Sequence, residues 1–179
     1  MFFLLTFKPN MSSEFISVLA NLALTLSLIV AIIFGIAQIN AAKKDRRERL
    51  TLETLRNFQT REFASMILFV TTTKFPGTYS EWQSRSTDDR ELFIQLMQQM
   101  ESVGILLGDR SIDIELVDKT LGSFVTSSWE KYKPVVFDMR EKSGDPYLAE
   151  YFQWMAEQID RRLKENPRPP FFQSSKTAG

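Results

Sequence analysis

Between Glu14 and Lys43 the chain carries no charged side chain, and most of the stretch is Leu, Ile, Val, Ala and Phe. From Ile16 to Ile39 it runs 24 residues, 18 of them apolar side chains, with Gly35 besides. As a helix this segment is about 36 Å long at ~1.5 Å per residue, enough to cross a hydrocarbon core of ~30 Å with some tilt. In lipid only a helix satisfies the backbone of such a segment. A buried core helix without a polar face would need a large protein around it, and the remaining sequence is too short to supply one. The lipid bilayer is therefore the first expected partner.

The charges around the span predict its orientation. Before it lie only Lys8 and Glu14; after it come Lys43-Lys44-Asp45-Arg46-Arg47-Glu48-Arg49. Cationic flanks stay cytoplasmic, which predicts a single-pass protein of the plasma (inner) membrane, N-terminus outside and C-terminal part in the cytoplasm. A cleaved signal peptide would carry its positive charge before a shorter apolar run and end in a small-residue cleavage site. Here the charge lies on the other side and Asn40-Ala41-Ala42-Lys43 makes a poor cleavage site, so an uncleaved signal-anchor is expected. Lys43, Lys44, Arg46, Arg47 and Arg49 read as the topology signal and as contacts to lipid headgroups. Two methionines offer a translation start, Met1 and Met11, and Met11-Ser12-Ser13-Glu14 runs straight into the span.

Composition narrows the chemistry. Lysine and arginine number 22, aspartate and glutamate 22, so no global field recruits nucleic acid, and none is expected as a partner. The chain has no cysteine, which removes disulfides, thiolate metal sites, lipidation on sulfur and thiol nucleophiles together. It has no histidine either, so the commonest general base and the commonest metal ligand are missing. No cofactor, no metal site and no catalytic residue are expected, and the protein reads as a non-enzyme.

Hydrophobic spacing gives an all-α reading: a single N-terminal transmembrane helix, a long juxtamembrane helix and a small cytoplasmic helical bundle. The expected divisions are a short extracytoplasmic N-terminus at 1–14, the span at 15–40, a basic juxtamembrane helix at 41–75, a helical domain at 76–165 and a flexible tail at 166–179. Leu52, Leu55, Gln59, Phe63, Met66 and Val70 recur at three- and four-residue steps, predicting one uninterrupted helix to about Thr72. Its seam is expected on later helices of the same chain, with pairing to a second copy the alternative. Pro76-Gly77 ends it, and a polar loop is expected to Thr87. Thr87 or Asp88 caps a helix lined by Leu92, Leu96, Gln99, Val103 and Leu106 and closed by Gly108. Ser111 or Asp113 opens another, carrying Ile114, Val117, Leu121, Phe124, Val125 and Ser128 and ending near Tyr132-Lys133-Pro134. A break at Ser143-Gly144 follows, and Asp145-Pro146 predicts the start of a last helix with Leu148, Phe152, Met155, Ile159 and Leu163 on one face. Sustained two-residue alternation is absent, so strands are not expected.

Within the span Ala23, Ser27, Ala31 and Gly35 repeat every four residues. Small residues at this spacing let two membrane helices approach closely, so this face is the candidate seam of a homo-oligomer. Asp109, Ser111, Asp113 and Glu115 alternate like the opening of a calcium loop, but Ile114 stands where the turn glycine belongs and Thr120 where the bidentate glutamate belongs. Helix capping accounts for the same residues. Trp129 with Tyr132 and Tyr151 with Trp154 are aromatic pairs three apart; they read either as a partner-binding surface or as the edge of a small core.

The order of features resembles a family of bacterial membrane proteins known as a domain of unknown function. The resemblance is carried by Glu101-Ser102-Val103-Gly104 through Gly108, by Ile112-Asp113, Val117 and Trp129, and by Met139-Arg140 and Glu150-Tyr151-Phe152. It implies one N-terminal span, a basic juxtamembrane helix and a compact helical domain, and it brings no catalytic residues. The expected function is a membrane-anchored interaction or scaffolding module acting on an unknown protein partner. The alternatives are an oligomerising membrane effector in stress or defence and a carboxylate-dependent hydrolase.

Overall fold

The computed structural model describes residues 13–167, so the start codon, most of the expected N-terminal segment and most of the expected tail lie outside it. Six helices follow one another, with no strand among the described residues: α1 (Ser13–Arg56), α2 (Arg61–Thr72), α3 (Tyr79–Gln83), α4 (Thr87–Gly108), α5 (Ile114–Ser143) and α6 (Glu150–Glu165). The chain forms two compact units that divide between Asp45 and Arg46. The first is helical from Ser13 onward. It is the one helix among the described residues long and apolar enough to cross a membrane, and none of its apolar stretch is buried inside the protein.

The second unit contains the last turns of α1 together with α2 to α6. The expected seam packs on its own chain, with Leu55, Phe63, Met66 and Val70 buried, whereas Leu52 is exposed. The helix expected to run unbroken to Thr72 is, however, interrupted at 57–60. There Asn57, Phe58 and Gln59 donate backbone N–H bonds to the carbonyls three residues back. Thr60 then restarts the helix, its hydroxyl accepting from the N–H of Phe63 at 3.1 Å. Without the turn Phe58 and Phe63 would lie on different faces; with it their rings meet edge-on at 4.8 Å. Packing selects the break, and no glycine or proline announces it.

The loop expected between Pro76 and Thr87 contains α3, capped by Thr78 and held to α5 by the N–H of Tyr79 donating to Asp138 at 2.6 Å. Ser86, not Thr87 or Asp88, caps α4. The buried face of α4 is Phe93, Leu96, Met100, Val103, Gly104 and Leu107, rotated slightly from the expected stripe. Asp113 opens α5 by accepting from the N–H groups of Glu115 and Leu116, the capping role expected for it. Helix α5 does not stop before Pro134 but continues to Ser143, closed by Gly144 in the left-handed conformation. Proline removes one intrahelical hydrogen bond, and here Val135 and Val136, both fully buried, offset that loss. Lys131 on the same helix donates to the carbonyl of Val70 near the end of α2.

The start of α6 also departs from expectation. Asp145 accepts from the N–H of Tyr147 in a local turn, and the helix begins only at Glu150. Ala149, immediately before it, holds a left-handed conformation at φ 58° and supplies no side-chain cap. The cap comes from α4: the carboxylate of Glu101 accepts from the N–H of Tyr151 at 3.2 Å and of Phe152 at 2.8 Å. One turn further along α4, a Cβ placed on Gly104 would lie within 3 Å of the Tyr151 backbone. Helices α4 and α6 therefore touch backbone to backbone. Overpacking of this kind costs about 1–3 kcal/mol, so Gly104→Ala is expected to lower unfolding stability by that amount. Denaturant titration of the full chain in detergent measures it, and a variant as stable as the parent would show that the helices separate freely.

Candidate functional site

The charged and polar side chains that the sequence singles out gather in two places, both inside the second unit. One is the junction of α1 with α5. Arg47 reaches Asp113 with Nη2–Oδ2 at 2.7 Å. One turn on, fully buried Thr51 donates to the carbonyl of Arg47 at 2.6 Å and accepts from the N–H of Asp113 at 2.9 Å. The Asp113 carboxylate thus accepts from Arg47 and from the N–H groups of Glu115 and Leu116 while capping α5, and its own N–H donates to Thr51. Partial burial works against its charged form, but the N–H groups of Glu115 and Leu116 and the Arg47 guanidinium outweigh it and hold the carboxyl below the ordinary aspartate value. Of the basic cluster, Arg47 is accordingly engaged by the protein. Lys43, Lys44, Arg46 and Arg49 are exposed along α1.

The other place is the α5–α6 turn beside Glu101. Arg140 donates from Nε to the carbonyl of Leu148 at 2.8 Å and from Nη1 to Gln153 Oε1 at 2.7 Å. Its guanidinium also lies 5.4 Å from the centre of the Phe137 ring. The arginine straps the turn to the first helical residues of α6, while Glu101 caps the same helix from the opposite neighbour. Both charges position backbone.

The aromatic pairs divide. Trp129 and Tyr132 are buried, and Tyr132 donates its hydroxyl to the carbonyl of Phe93 at 3.0 Å while its ring stacks on Phe93 at 4.2 Å. Burial pushes the phenol strongly upward from its ordinary value, and it stays protonated. Both are core side chains: each faces Phe152, at 5.2 Å and 5.7 Å. Tyr151 is partly exposed and Trp154 half-buried. The four small residues Ala23, Ser27, Ala31 and Gly35 all lie within α1, and a Cβ on Gly35 would meet nothing within 4 Å. Sequence reasoning did not find the Arg47–Asp113–Thr51 junction; a cation and an acid 66 residues apart carry no local signal.

The remaining chemistry is modest. An open polar furrow of about 470 Å³ runs between α5 and α6, floored by Trp129 and Ala156 and edged by Glu130, Lys133, Glu157 and Asp160. Among the described residues no three His, Cys, Asp or Glu side chains are grouped to hold a metal ion. The class is that of an all-α domain behind one apolar N-terminal helix, with its distinctive charged residues engaged in positioning helix ends. The chain belongs to the family described as a domain of unknown function, DUF4760, which matches residues 25–159. No curated protein and no solved structure matches it.

Because the Asp113 carboxyl is held below its unfolded value, its contribution is present at neutral pH and is lost as pH falls below about 4 through the folded value. Removing a helix cap typically costs about 1 kcal/mol. Asp113→Ala is expected to be destabilised by roughly that amount at pH 7, with the gap to the parent narrowing in acid. Parallel unfolding curves from pH 7 to pH 3 test this; a gap independent of pH would remove the ion pair from the account.

Proposed function

We propose that the protein is a single-pass anchor in the plasma (inner) membrane that presents its helical domain to a protein partner in the cytoplasm and catalyses no reaction. The observation that carries this reading is the contrast between the two units: the apolar stretch of α1 finds no cover among the described residues, while the domain encloses a core of its own. An uncovered apolar helix of that length calls for lipid or another protein around it. Orientation rests on the charge asymmetry of its flanks, with Lys43, Lys44, Arg46 and Arg49 exposed after the span. The non-enzymatic reading is supported by what the acids do. Glu101 caps α6, Asp113 caps α5, and Asp138 binds the start of α3 and Lys142.

Self-association through the Ala23, Ser27, Ala31 and Gly35 face is part of the proposal. The open space at Gly35 favours it and equally favours a second reading, an effector that perturbs the membrane when its spans assemble. Affinity purification of the full-length protein in mild detergent, followed by mass spectrometry, separates the two. A specific co-purifying protein is expected; recovery of the chain alone as a defined oligomer would favour the effector. Gly35→Leu is expected to weaken self-association, because a bulky side chain on this face separates the two backbones. An oligomer unchanged in Gly35→Leu and Ala31→Leu would reject the small-residue seam.

A further inference from the structure

The contact between Arg47 and Asp113 is built so that it opens without undoing the helix it touches. The two carboxylate oxygens of Asp113 divide their work. Oδ1 accepts from the N–H groups of Glu115 and Leu116 and so caps α5, while Oδ2 takes the Arg47 guanidinium at 2.7 Å. Withdrawing Arg47 therefore leaves the cap in place. The pair also meets solvent, with the Arg47 side chain 46% and the Asp113 side chain 28% exposed. An open furrow of about 270 Å³ reaches Asp113, and the other α5 charges that line it, Glu115 and Lys119, are paired with each other at 2.6 Å. What the contact holds is the end of α1. Beyond Arg46 this helix is fastened by buried Thr51, Thr54 and Leu55 and by Leu50 against the core, whereas Leu52 is exposed. The turn at 57–60 separates it from α2, so it can shift while α2 keeps its place.

Arg47 belongs both to this contact and to the cationic cluster after the span. It follows Ile39 by eight residues, with Lys43 one turn before it and Arg46 beside it. Cations so placed act at the membrane surface, where anionic lipid attracts each of them. A guanidinium grips phosphate with the same fork that it offers a carboxylate, so lipid phosphate competes with Asp113 for Arg47. The contest is even, because a half-exposed ion pair is weak and comparable with the attraction of one arginine to an anionic surface. We infer that Arg47 and Asp113 form a lipid-sensitive clasp. Where anionic lipid is scarce the clasp holds the end of α1 on α5; where phosphate headgroups are dense Arg47 transfers to them and loosens that end from the domain. Such a transfer presupposes the membrane anchor proposed above and gives it a regulation.

The chain has no cysteine, so spin labels attach only where one is introduced. Glu53→Cys on α1 and Thr120→Cys on α5, both exposed and outside the clasp, give a distance across the junction in the full-length protein. In vesicles of phosphatidylcholine a single distance is expected, and phosphatidylglycerol is expected to add a second, longer one. Asp113→Asn keeps a side chain able to cap α5 but removes its charge, and Arg47→Gln removes the cation. Each is expected to show the longer distance in both lipids. Arg49→Gln, which takes an exposed cation from the same cluster, is expected to respond as the parent does. A parent distance indifferent to phosphatidylglycerol, or one unchanged in both clasp variants, would overturn the inference. Inorganic phosphate added to phosphatidylcholine vesicles is expected to do nothing; an equal response to it would reject lipid as the ligand. Flotation of the vesicles checks the anchor separately. Protein left behind would end the anchor and the clasp together, whereas protein that floats without a change in distance ends the clasp alone.

Discussion

The domain depends on one close approach, that of α4 to α6. At Gly104 the two backbones are near enough that a methyl group would not fit, and one turn earlier Glu101 supplies the acceptors that the first N–H groups of α6 lack. Unsatisfied N–H groups at a buried helix end are costly, and the positive end of the helix dipole favours a carboxylate there. The two features act together, since only a glycine brings α4 close enough for a glutamate of ordinary length to cap its neighbour. Once α6 is placed, Phe152, Met155 and Ile159 enter the core, and Phe152 meets Trp129 and Tyr132 of α5. Arg140 then fixes the turn joining α5 to α6 from the other side.

The residues that carry the family resemblance fall on this framework. Glu101 and Gly104 make the α4–α6 contact, Asp113 caps α5 and receives Arg47, Trp129 lies in the core, and Arg140 straps the turn. A motif built from such positions specifies an architecture: each member supports a helix end or a close approach. The charges in this motif are therefore engaged in holding helix ends in place. Arg47 illustrates the point. In sequence it is one of five cations beside a span, indistinguishable from Arg46 or Arg49; in the fold its ion pair with Asp113 joins the last turns of α1 to the first turn of α5.

What was legible in the sequence was local. The helical class, the apolar stretch of α1, the α5 cap at Asp113 and the stop at Gly144 rest on periodicity, composition or a single residue type. What was not legible depended on partners distant in sequence. The break at 57–60 follows from the meeting of Phe58 and Phe63, whereas Leu55, Gln59 and Phe63 keep helical spacing across it and so look continuous. Pro134 sits inside α5 because the flanking valines are buried by other helices. Asp145-Pro146 has the form of a helix start, yet the cap of α6 lies about 50 residues earlier, in Glu101. The aromatic pairs were ambiguous for the same reason: equal spacing, but Trp129 and Tyr132 face Phe152 inside while Tyr151 remains partly exposed.

That sorting bears on where a partner would bind. With Trp129 and Tyr132 enclosed, the aromatic area left at the surface is on α6 and the turn before it, where Tyr147 and Tyr151 are exposed and Trp154 is half-covered. Tyr151 is also the residue whose backbone fits against Gly104 and whose N–H is held by Glu101, so its ring stands on one of the most constrained segments of the domain. Side chains on a rigid support lose less entropy when they are bound, which favours them as anchors over equally exposed residues on loops. The contact that organises the fold thereby also holds the segment that carries this exposed aromatic area. An exchange of Gly104 for a larger residue would disturb that surface even where the domain still folds.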